Sequence, residues 1–274
     1  MAHARILFIA AALFAAGCGE RKAETAPSQP LPSQPGRVGA TYSYIRSNQD
    51  GSKPEHILVH IVSNHEVHVA KMVEPCTDAA YVTAEFDAMS GEATKLVGGR
   101  LTREGTQLAQ AFLSFDPATR RMEVRYGDDA SAPAETLDAP PAPWRMYDFD
   151  LAEFALFGRR KSEDFQFGLV MAWPDGPPPM VKMLGEVNAT YVDSDREPDG
   201  IKTTNRYTLE GPALPGGGEL ILDARYGNVI EARIARPNHS GYTDFLLKLD
   251  SAALENGEKV WRDALAAHWK GCPA

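Results

Sequence analysis

Apolar and polar residues alternate along most of the chain after residue 38, in short segments separated by turn-forming residues. Within residues 164–173 every second position is apolar, namely Phe165, Phe167, Leu169, Met171 and Trp173. Alternate side chains of a strand point to the same face, so this spacing predicts a strand with one apolar face. Turn signals recur about every eight to twelve residues, a rhythm that is typical of an antiparallel meander.

The same pattern predicts a mainly all-β fold with about a dozen strands. The predicted strands are residues 40–46, 56–62, 66–73, 80–86, 94–98, 108–115, 121–126, 164–173, 181–193, 202–209, 219–224, 229–235 and 242–249. Residues 127–143 interrupt the series with a polar passage rich in alanine and proline. That passage is either a domain boundary or a long surface loop, so residues 38–274 form one large antiparallel β domain or two smaller ones.

Two segments have helical patterns instead. Asp150 and Glu153 have the spacing of a capping box and Gly158 offers a C-terminal stop, which together predict a short helix over residues 151–157. Residues 258–270 predict an amphipathic C-terminal helix. Its apolar face contains Val260, Trp261, Ala264, Leu265, His268 and Trp269.

The N-terminal segment differs from the rest, because residues 6–16 form an uncharged apolar run after Arg5. The run is too short to span a bilayer and fits the core of a secretory signal. It ends in Ala15-Ala16-Gly17-Cys18, which resembles the lipobox of bacterial lipoproteins. The resemblance implies that residues 1–17 are a signal peptide and that Cys18 carries lipid such as palmitate. An ordinary signal peptide with an incidental cysteine is the alternative.

A lipid on Cys18 would attach the protein to a membrane surface, since each buried methylene contributes roughly 0.8 kcal/mol. In bacterial lipoproteins an aspartate after the cysteine signals retention at the inner membrane, and Gly19 stands there instead. The resemblance therefore implies a Gram-negative outer-membrane lipoprotein that faces the periplasm. Residues 18–37 contain four prolines and no aromatic residue, so they are predicted to be an extended tether.

Charge and cysteine content limit the possible binding partners and predict a disulfide. The formal net charge of −9 repels nucleic acid and anionic head groups, so neither is an expected partner. The membrane contact is therefore assigned to the lipid. Cys76 and Cys272 are the cysteines that remain, and in an oxidising compartment they are expected to form a disulfide. Free buried thiols are the alternative.

Residues 185–249 resemble the half-barrel proteins of the Gram-negative envelope, through a long hairpin, Gly217–Asp223, Tyr226–Ile230 and a closing strand. These proteins include the lipoprotein carrier and receptor of outer-membrane sorting, and related families of unknown function. The resemblance implies a curved sheet, or half-barrel, around an apolar cavity that receives acyl chains. The lining would come from Phe165, Phe167, Leu169, Met171, Trp173, Trp261 and Trp269. Alternatively, these side chains fill the core.

Four of the seven histidines lie close together, which raises the hypothesis of a metal site. They are His56, His60, His65 and His68. A hairpin turn at residues 64–65 would place His60 opposite Val69 and His68 opposite Ile61, so no two histidines would converge. A zinc site needs three or four convergent ligands, and partly exposed sheet histidines are therefore the prediction.

Residues 193–200 suggest a second metal hypothesis. A calcium-binding loop that began at Asp195 would have acidic residues at its first, third and fifth positions. Its twelfth position would be Arg206, where a bidentate glutamate belongs. A solvated hairpin tip is therefore the prediction, and no metal or other cofactor is expected.

The sequence contains no nucleophile elbow, phosphate-binding loop or dinucleotide fingerprint. No catalytic residue is assigned. The primary hypothesis is therefore a non-enzymatic binding or envelope-maintenance module. Its partner would be a lipid, another apolar ligand or an envelope protein. The first alternative is an envelope hydrolase whose site forms only in the fold, with His239 or His60 as base. The second is an accessory subunit of an envelope complex, which predicts a large exposed apolar patch.

Overall fold

The structure is a computed structural model that describes residues 38–127, 134–158, 161–172, 181–196 and 203–273. The signal segment, Cys18, the tether and Trp173 lie outside these residues, so the predictions about them stay predictions. Within the described ranges, no helix has both the length and the apolar character needed to cross a membrane.

The described residues form fifteen strands in one sheet, one 3-10 helix and two α-helices. The strands are β1 (Thr41–Ser47), β2 (Glu55–Ser63), β3 (Glu66–Met72), β4 (Ala80–Phe86), β5 (Ala93–Leu101), β6 (Gln107–Asp116), β7 (Arg121–Tyr126), β8 (Glu135–Asp138), β9 (Trp144–Met146), β10 (Phe165–Ala172), β11 (Val181–Arg196), β12 (Thr203–Glu210), β13 (Gly218–Asp223), β14 (Val229–Ile234) and β15 (Phe245–Ala253). The helices are the 3-10 helix (Tyr147–Phe149), α1 (Phe154–Phe157) and α2 (Gly257–His268).

The strand order is β8-β7-β6-β5-β4-β3-β2-β1-β15-β14-β13-β12-β11-β10-β9. Neighbouring strands are antiparallel, apart from β9, which runs parallel to β10. β1 and β15 pair at the middle of the sheet, and β8 and β9 form its two edges. The prediction of a mainly all-β meander that forms a curved, open sheet is confirmed.

The two edge strands were not predicted. β8 has four residues and β9 has three, and both lie in or next to the alanine- and proline-rich passage at residues 127–143. Such short strands show no alternation that could be recognised. Strands on both sides of the passage belong to the same sheet, and its residues 128–133 lie outside the described residues.

Residues 144–158, which begin with the edge strand β9, form an interior segment that is almost entirely buried. Trp144, Tyr147 and Phe149 from this segment are among the largest fully buried side chains. They belong to one hydrophobic core with the inward-facing residues of strands from both halves of the sheet. A segment placed in this way brings its own polar groups into the protein interior, where each needs a partner.

The helix predicted over residues 151–157 is shorter than expected, because α1 begins at Phe154. The prediction of a capping box is wrong. Residues 150 and 151 have φ angles of 55° and 56°, which are not helical. The Glu153 carboxylate accepts a hydrogen bond from the Met146 amide at 2.7 Å instead of closing a cap with Asp150. Both carboxylates of the sequence motif are used in the interior, and Gly158 ends the helix as predicted.

Helix α2 covers the opposite face of the sheet, which confirms the predicted C-terminal amphipathic helix. Trp261 and Leu265 form a second, smaller hydrophobic cluster with outward-facing residues that include Tyr81. A disulfide joins Cys76 to Cys272. It ties the chain after α2 to the connection between β3 and β4.

The register of the β2–β3 hairpin differs from the prediction. His60 pairs directly with His68, because the register shifts between Ile61 and Ser63. The prediction that no two histidines converge is therefore wrong. Both rings contact Trp261 of α2, with ring centroids 5.5 Å and 6.3 Å from its own.

Candidate functional site

Three charged side chains point into the interior from adjacent strands. Arg46 of β1 lies opposite Glu55 of β2, and Lys71 belongs to β3. Each is two positions from a core residue of its own strand, so the alternation of the strand directs it inward. Their exposed fractions are only 3%, 7% and 5%. Buried charges need partners, and the interior segment supplies one of them.

Asp150 follows the 3-10 helix and neutralises two of these groups. Its side chain is fully buried, and its Oδ1 and Oδ2 atoms lie 3.3 Å from Arg46 Nη1 and 2.8 Å from Lys71 Nζ. Asn238 Nδ2 donates to Oδ1 at 2.8 Å. Arg46 also pairs with Glu55 through its other terminal nitrogen. Asp150 therefore links the interior segment to the sheet.

The charge of Asp150 is maintained by its neighbours. Burial alone would raise the pKa of Asp150, but Lys71 and Arg46 outweigh burial and hold this pKa well below its ordinary value. For Glu55 the balance is reversed, because burial raises its pKa more than Arg46 lowers it. Asp150 is thus the carboxylate that keeps the two cations in the interior.

His239 lies beside both of these cations. Its Nδ1 atom lies 2.6 Å from Arg46 Nη1, and its Nε2 atom lies 3.4 Å from Lys71 Nζ. Burial, followed by the two cations, lowers the pKa of His239 well below its ordinary value. The ring is therefore neutral, and Nδ1 accepts the hydrogen bond from Arg46. We name Arg46, Glu55, Lys71, Asp150 and His239 the buried charge cluster.

A cavity of about 220 Å³ lies beside the buried charge cluster. Its apolar walls include Val82, Leu96, Ala111, Met146 and Phe149. Its polar lining includes Lys71, Tyr126, Asp148, Asn238 and His239. A mostly apolar chamber with a few polar groups is the usual form of a small-molecule site.

Asp148 and Tyr126 bring polar groups to this cavity. Asp148 Oδ1 accepts a hydrogen bond from the Ala172 amide at 2.9 Å. Burial raises the pKa of Asp148 to about 6, although Lys71 opposes the rise. The Tyr126 hydroxyl is buried without a hydrogen-bond partner among the described residues. Burial, then Glu135 and Asp148, raises the pKa of Tyr126, so this hydroxyl stays protonated and can donate a hydrogen bond.

The residues predicted to line a ligand cavity lie elsewhere. The described members of the β10 face, Phe165, Phe167, Leu169 and Met171, are buried in the main core and do not border the cavity. Trp261 and Trp269 pack in the smaller cluster on the opposite face of the sheet. Trp173 lies outside the described residues. The cavity is therefore lined by a different part of the chain.

The histidines of the hydrolase alternative contact no activated nucleophile in the described part of the chain. Ser240 borders the cavity beside His239, but no hydrogen bond joins these two side chains. Thr41 Oγ1 lies 2.8 Å from His60 Nδ1, yet it donates its own proton to the Gly257 carbonyl. His60 therefore donates to Thr41 and does not act as its base.

The two metal hypotheses concern the histidines around the β2–β3 hairpin and the loop after Asp193. No group of three or more histidine, cysteine, aspartate or glutamate side chains that could hold a metal ion occurs among the described residues. Asp193 instead pairs with Arg206 across β11 and β12, with 3.1 Å between Oδ1 and Nε. Residues 197–200 of the suggested calcium loop lie outside the described residues.

The fold and the cavity together define a mainly β protein in which one open, curved sheet contains a cavity that is partly open to solvent. No protein-family model and no curated protein matches the chain. Among solved structures, the chain is similar to the crystal structure of a β-barrel-like protein of the domain of unknown function DUF1849 from Brucella abortus. The two share 9% identity over 81% of this chain and 100% of that one, with a TM-score of 0.43. At this level the likeness is not evidence of function.

Proposed function

We propose that this protein is a non-enzymatic binding module of the bacterial envelope, which holds a small amphipathic ligand inside its curved sheet. The observation that carries the proposal is the cavity of about 220 Å³, with apolar walls and a polar lining on one side. That volume corresponds to roughly seven water molecules at ~30 Å³ each. The expected occupant is therefore a molecule, or the end of a longer chain, with about seven non-hydrogen atoms.

The state of His239 favours binding over catalysis. A general base must be free to accept a proton from a reacting group. The Nδ1 atom of His239 already accepts a hydrogen bond from Arg46, and Lys71 lies beside Nε2. These cations and burial make the ring a weak base. Its role in the proposal is to fix the shape and polarity of the cavity wall.

We further propose that Cys18 anchors the protein in a Gram-negative outer membrane, facing the periplasm, with residues 18–37 as the tether. The support is the lipobox-like sequence that ends at Cys18 and the Gly19 that follows it. The disulfide between Cys76 and Cys272 is compatible with such an oxidising compartment.

Cys18→Ser is expected to release the protein from membranes. After lysis of a Gram-negative host, the unsubstituted chain should sediment with the membrane fraction and incorporate labelled palmitate, because acyl chains hold it there. The variant should remain in the supernatant without label. Ser28→Ala in the tether is the control and should behave like the unsubstituted chain. Membrane sedimentation of Cys18→Ser, or failure of the unsubstituted chain to take up palmitate, would contradict the anchor.

Ala111→Leu is expected to block the cavity. In a full-length chain that carries Cys18→Ser, calorimetric titration with 1-hexanol, hexylamine and hexanoate should reveal binding of at least one, with Kd on the order of 1 mM. The larger side chain at residue 111 should weaken this binding at least about tenfold, because it occupies the space of the ligand.

Gln110→Leu is the matched control for the blocked cavity. Gln110 is exposed and neighbours Ala111 on the same strand, β6. The substitution adds a similar apolar group at an exposed position outside the cavity lining, so ligand binding should be unchanged. Far-ultraviolet circular dichroism would establish that both variants are folded. If none of the three ligands bound, or if folded Ala111→Leu bound them as tightly as Gln110→Leu did, the proposed function would be wrong.

A further inference from the structure

The cavity lining contains polar atoms that no described residue uses. The Tyr126 hydroxyl and Asn238 Oδ1 are both buried, and neither has a hydrogen-bond partner in the part of the chain that the structure describes. Asn238 is otherwise held in place, because its Nδ2 donates to Asp150 and to the Tyr147 carbonyl. Both residues border the cavity, so its lining residues carry one donor and one acceptor without partners among the described residues. Such groups are costly to bury unless a ligand or water satisfies them.

The carboxylate of Asp148 adds a second acceptor at the same cavity. One of its oxygens accepts the hydrogen bond from the Ala172 amide. Tyr126 borders the same cavity as Asp148. A group that both donates and accepts hydrogen bonds would match the acceptors of Asp148 and Asn238 and the donor of Tyr126.

The charges around the cavity do not favour an anion. Arg46 and Lys71 are the cations of the buried charge cluster, and both are already paired with Asp150. Arg46 is also paired with Glu55. His239 is neutral, and Asp148 adds a further negative charge when it is ionised. The groups that surround the polar lining thus carry no excess positive charge. The carboxylate of a ligand would be repelled by the carboxylate of Asp148 in a poorly solvated space.

We propose that the cavity selects an uncharged amphiphile whose polar end is a hydroxyl group, with Tyr126 donating a hydrogen bond to the ligand oxygen and Asp148 or Asn238 accepting one from the ligand hydroxyl. This inference rests on the proposed function and specifies the ligand class. The apolar part of the ligand would lie against the walls around Ala111. A hydroxyl supplies both a donor and an acceptor without adding charge, which is what the unused groups require.

The test compares 1-hexanol with hexanoate at pH 7.5, by calorimetric titration of the full-length chain carrying Cys18→Ser. Hexanol should bind at least about tenfold more tightly, because only the carboxylate is repelled by Asp148. Equal or tighter binding of hexanoate would overturn the hydroxyl selectivity and leave the binding module intact. Hexylamine binding more tightly than hexanol would also overturn it. If none of the three ligands binds, the proposed function itself fails, so the two failures are distinguishable.

Two variants test the assigned groups. Tyr126→Phe removes only the hydroxyl and should weaken hexanol binding about five- to tenfold. Tyr191→Phe removes a hydroxyl that bonds to Ser194 on β11, away from the cavity lining, and should leave the affinity unchanged. Asp148→Asn should increase hexanoate affinity about tenfold, a gain that misfolding cannot produce. Unchanged hexanol affinity in Tyr126→Phe, or unchanged hexanoate affinity in folded Asp148→Asn, would refute the assignment of that residue.

Discussion

Replacing Asp150 with asparagine is expected to lower the free energy of unfolding by about 3–5 kcal/mol. The substitution preserves side-chain shape, and asparagine tolerates the left-handed backbone conformation of residue 150, where φ is 55°. Its main effect is therefore the loss of charge. Arg46 and Lys71 would remain buried with Glu55 as the nearest counter-charge in the cluster. Removal of one partner is costly because it leaves the opposite charge in the interior without compensation.

Asp193→Asn is the matched control. Asp193 also pairs with an arginine, but its side chain and that of Arg206 are both 45% exposed. Water replaces a lost partner at such a site, so the expected loss is about 0–1 kcal/mol. Urea-induced unfolding at pH 7 gives the free energy of unfolding of both variants. A loss in Asp150→Asn no greater than that in Asp193→Asn would show that the buried charge cluster does not depend on Asp150.

Glu153→Gln is expected to change how stability depends on pH. Burial raises the pKa of Glu153 from 4.5 to about 7, although Arg145 opposes the rise. A carboxyl group whose folded pKa is raised stabilises the fold below its unfolded pKa, and this contribution is lost as the pH rises through the folded value. Between pH 4 and pH 8 the unsubstituted protein should therefore lose about 3 kcal/mol relative to the variant.

Glutamine is a suitable replacement because its side-chain oxygen can still accept the hydrogen bond from the Met146 amide. The measured quantity is the difference in unfolding free energy between the variant and the unsubstituted protein at each pH, so other titrating groups largely cancel. The same substitution at the exposed Glu255 should leave that difference constant. A difference for Glu153→Gln that did not change over this pH range would argue against a raised pKa.

Most of the sheet could be predicted because its strands are long enough to show alternation. The face of β10, from Phe165 to Met171, is an example, and its residues are indeed buried in the core. The three-residue strand β9 and the register shift after Ile61 could not be predicted. Their conformations depend on contacts distant in sequence, and a single extra residue changes the register of a whole hairpin.

Three of the five residues in the buried charge cluster carried a signal that the sequence analysis missed. Arg46 and Lys71 lie two positions from core residues in strands that were predicted, and Glu55 lies at the same spacing just before one. A charged residue at an inward position of a strand indicates a buried partner. Asp150 and His239 gave no such signal, because they lie in irregular segments whose side-chain directions follow no periodicity. Their convergence with the strand residues becomes apparent only in the folded chain.

The pairing of β1 with β15 has a consequence for the order of assembly. The sheet consists of two meanders, β1 to β8 and β9 to β15, each built from strands that are neighbours in sequence. Such local pairings can form early, whereas β1 must wait for β15, a strand that is distant from it in sequence. The two meanders therefore join late, after β15 has been made. Cys272 follows β15 in the chain and reaches Cys76 only after β15 has been made. The disulfide would therefore form on an assembled sheet and would not direct strand pairing.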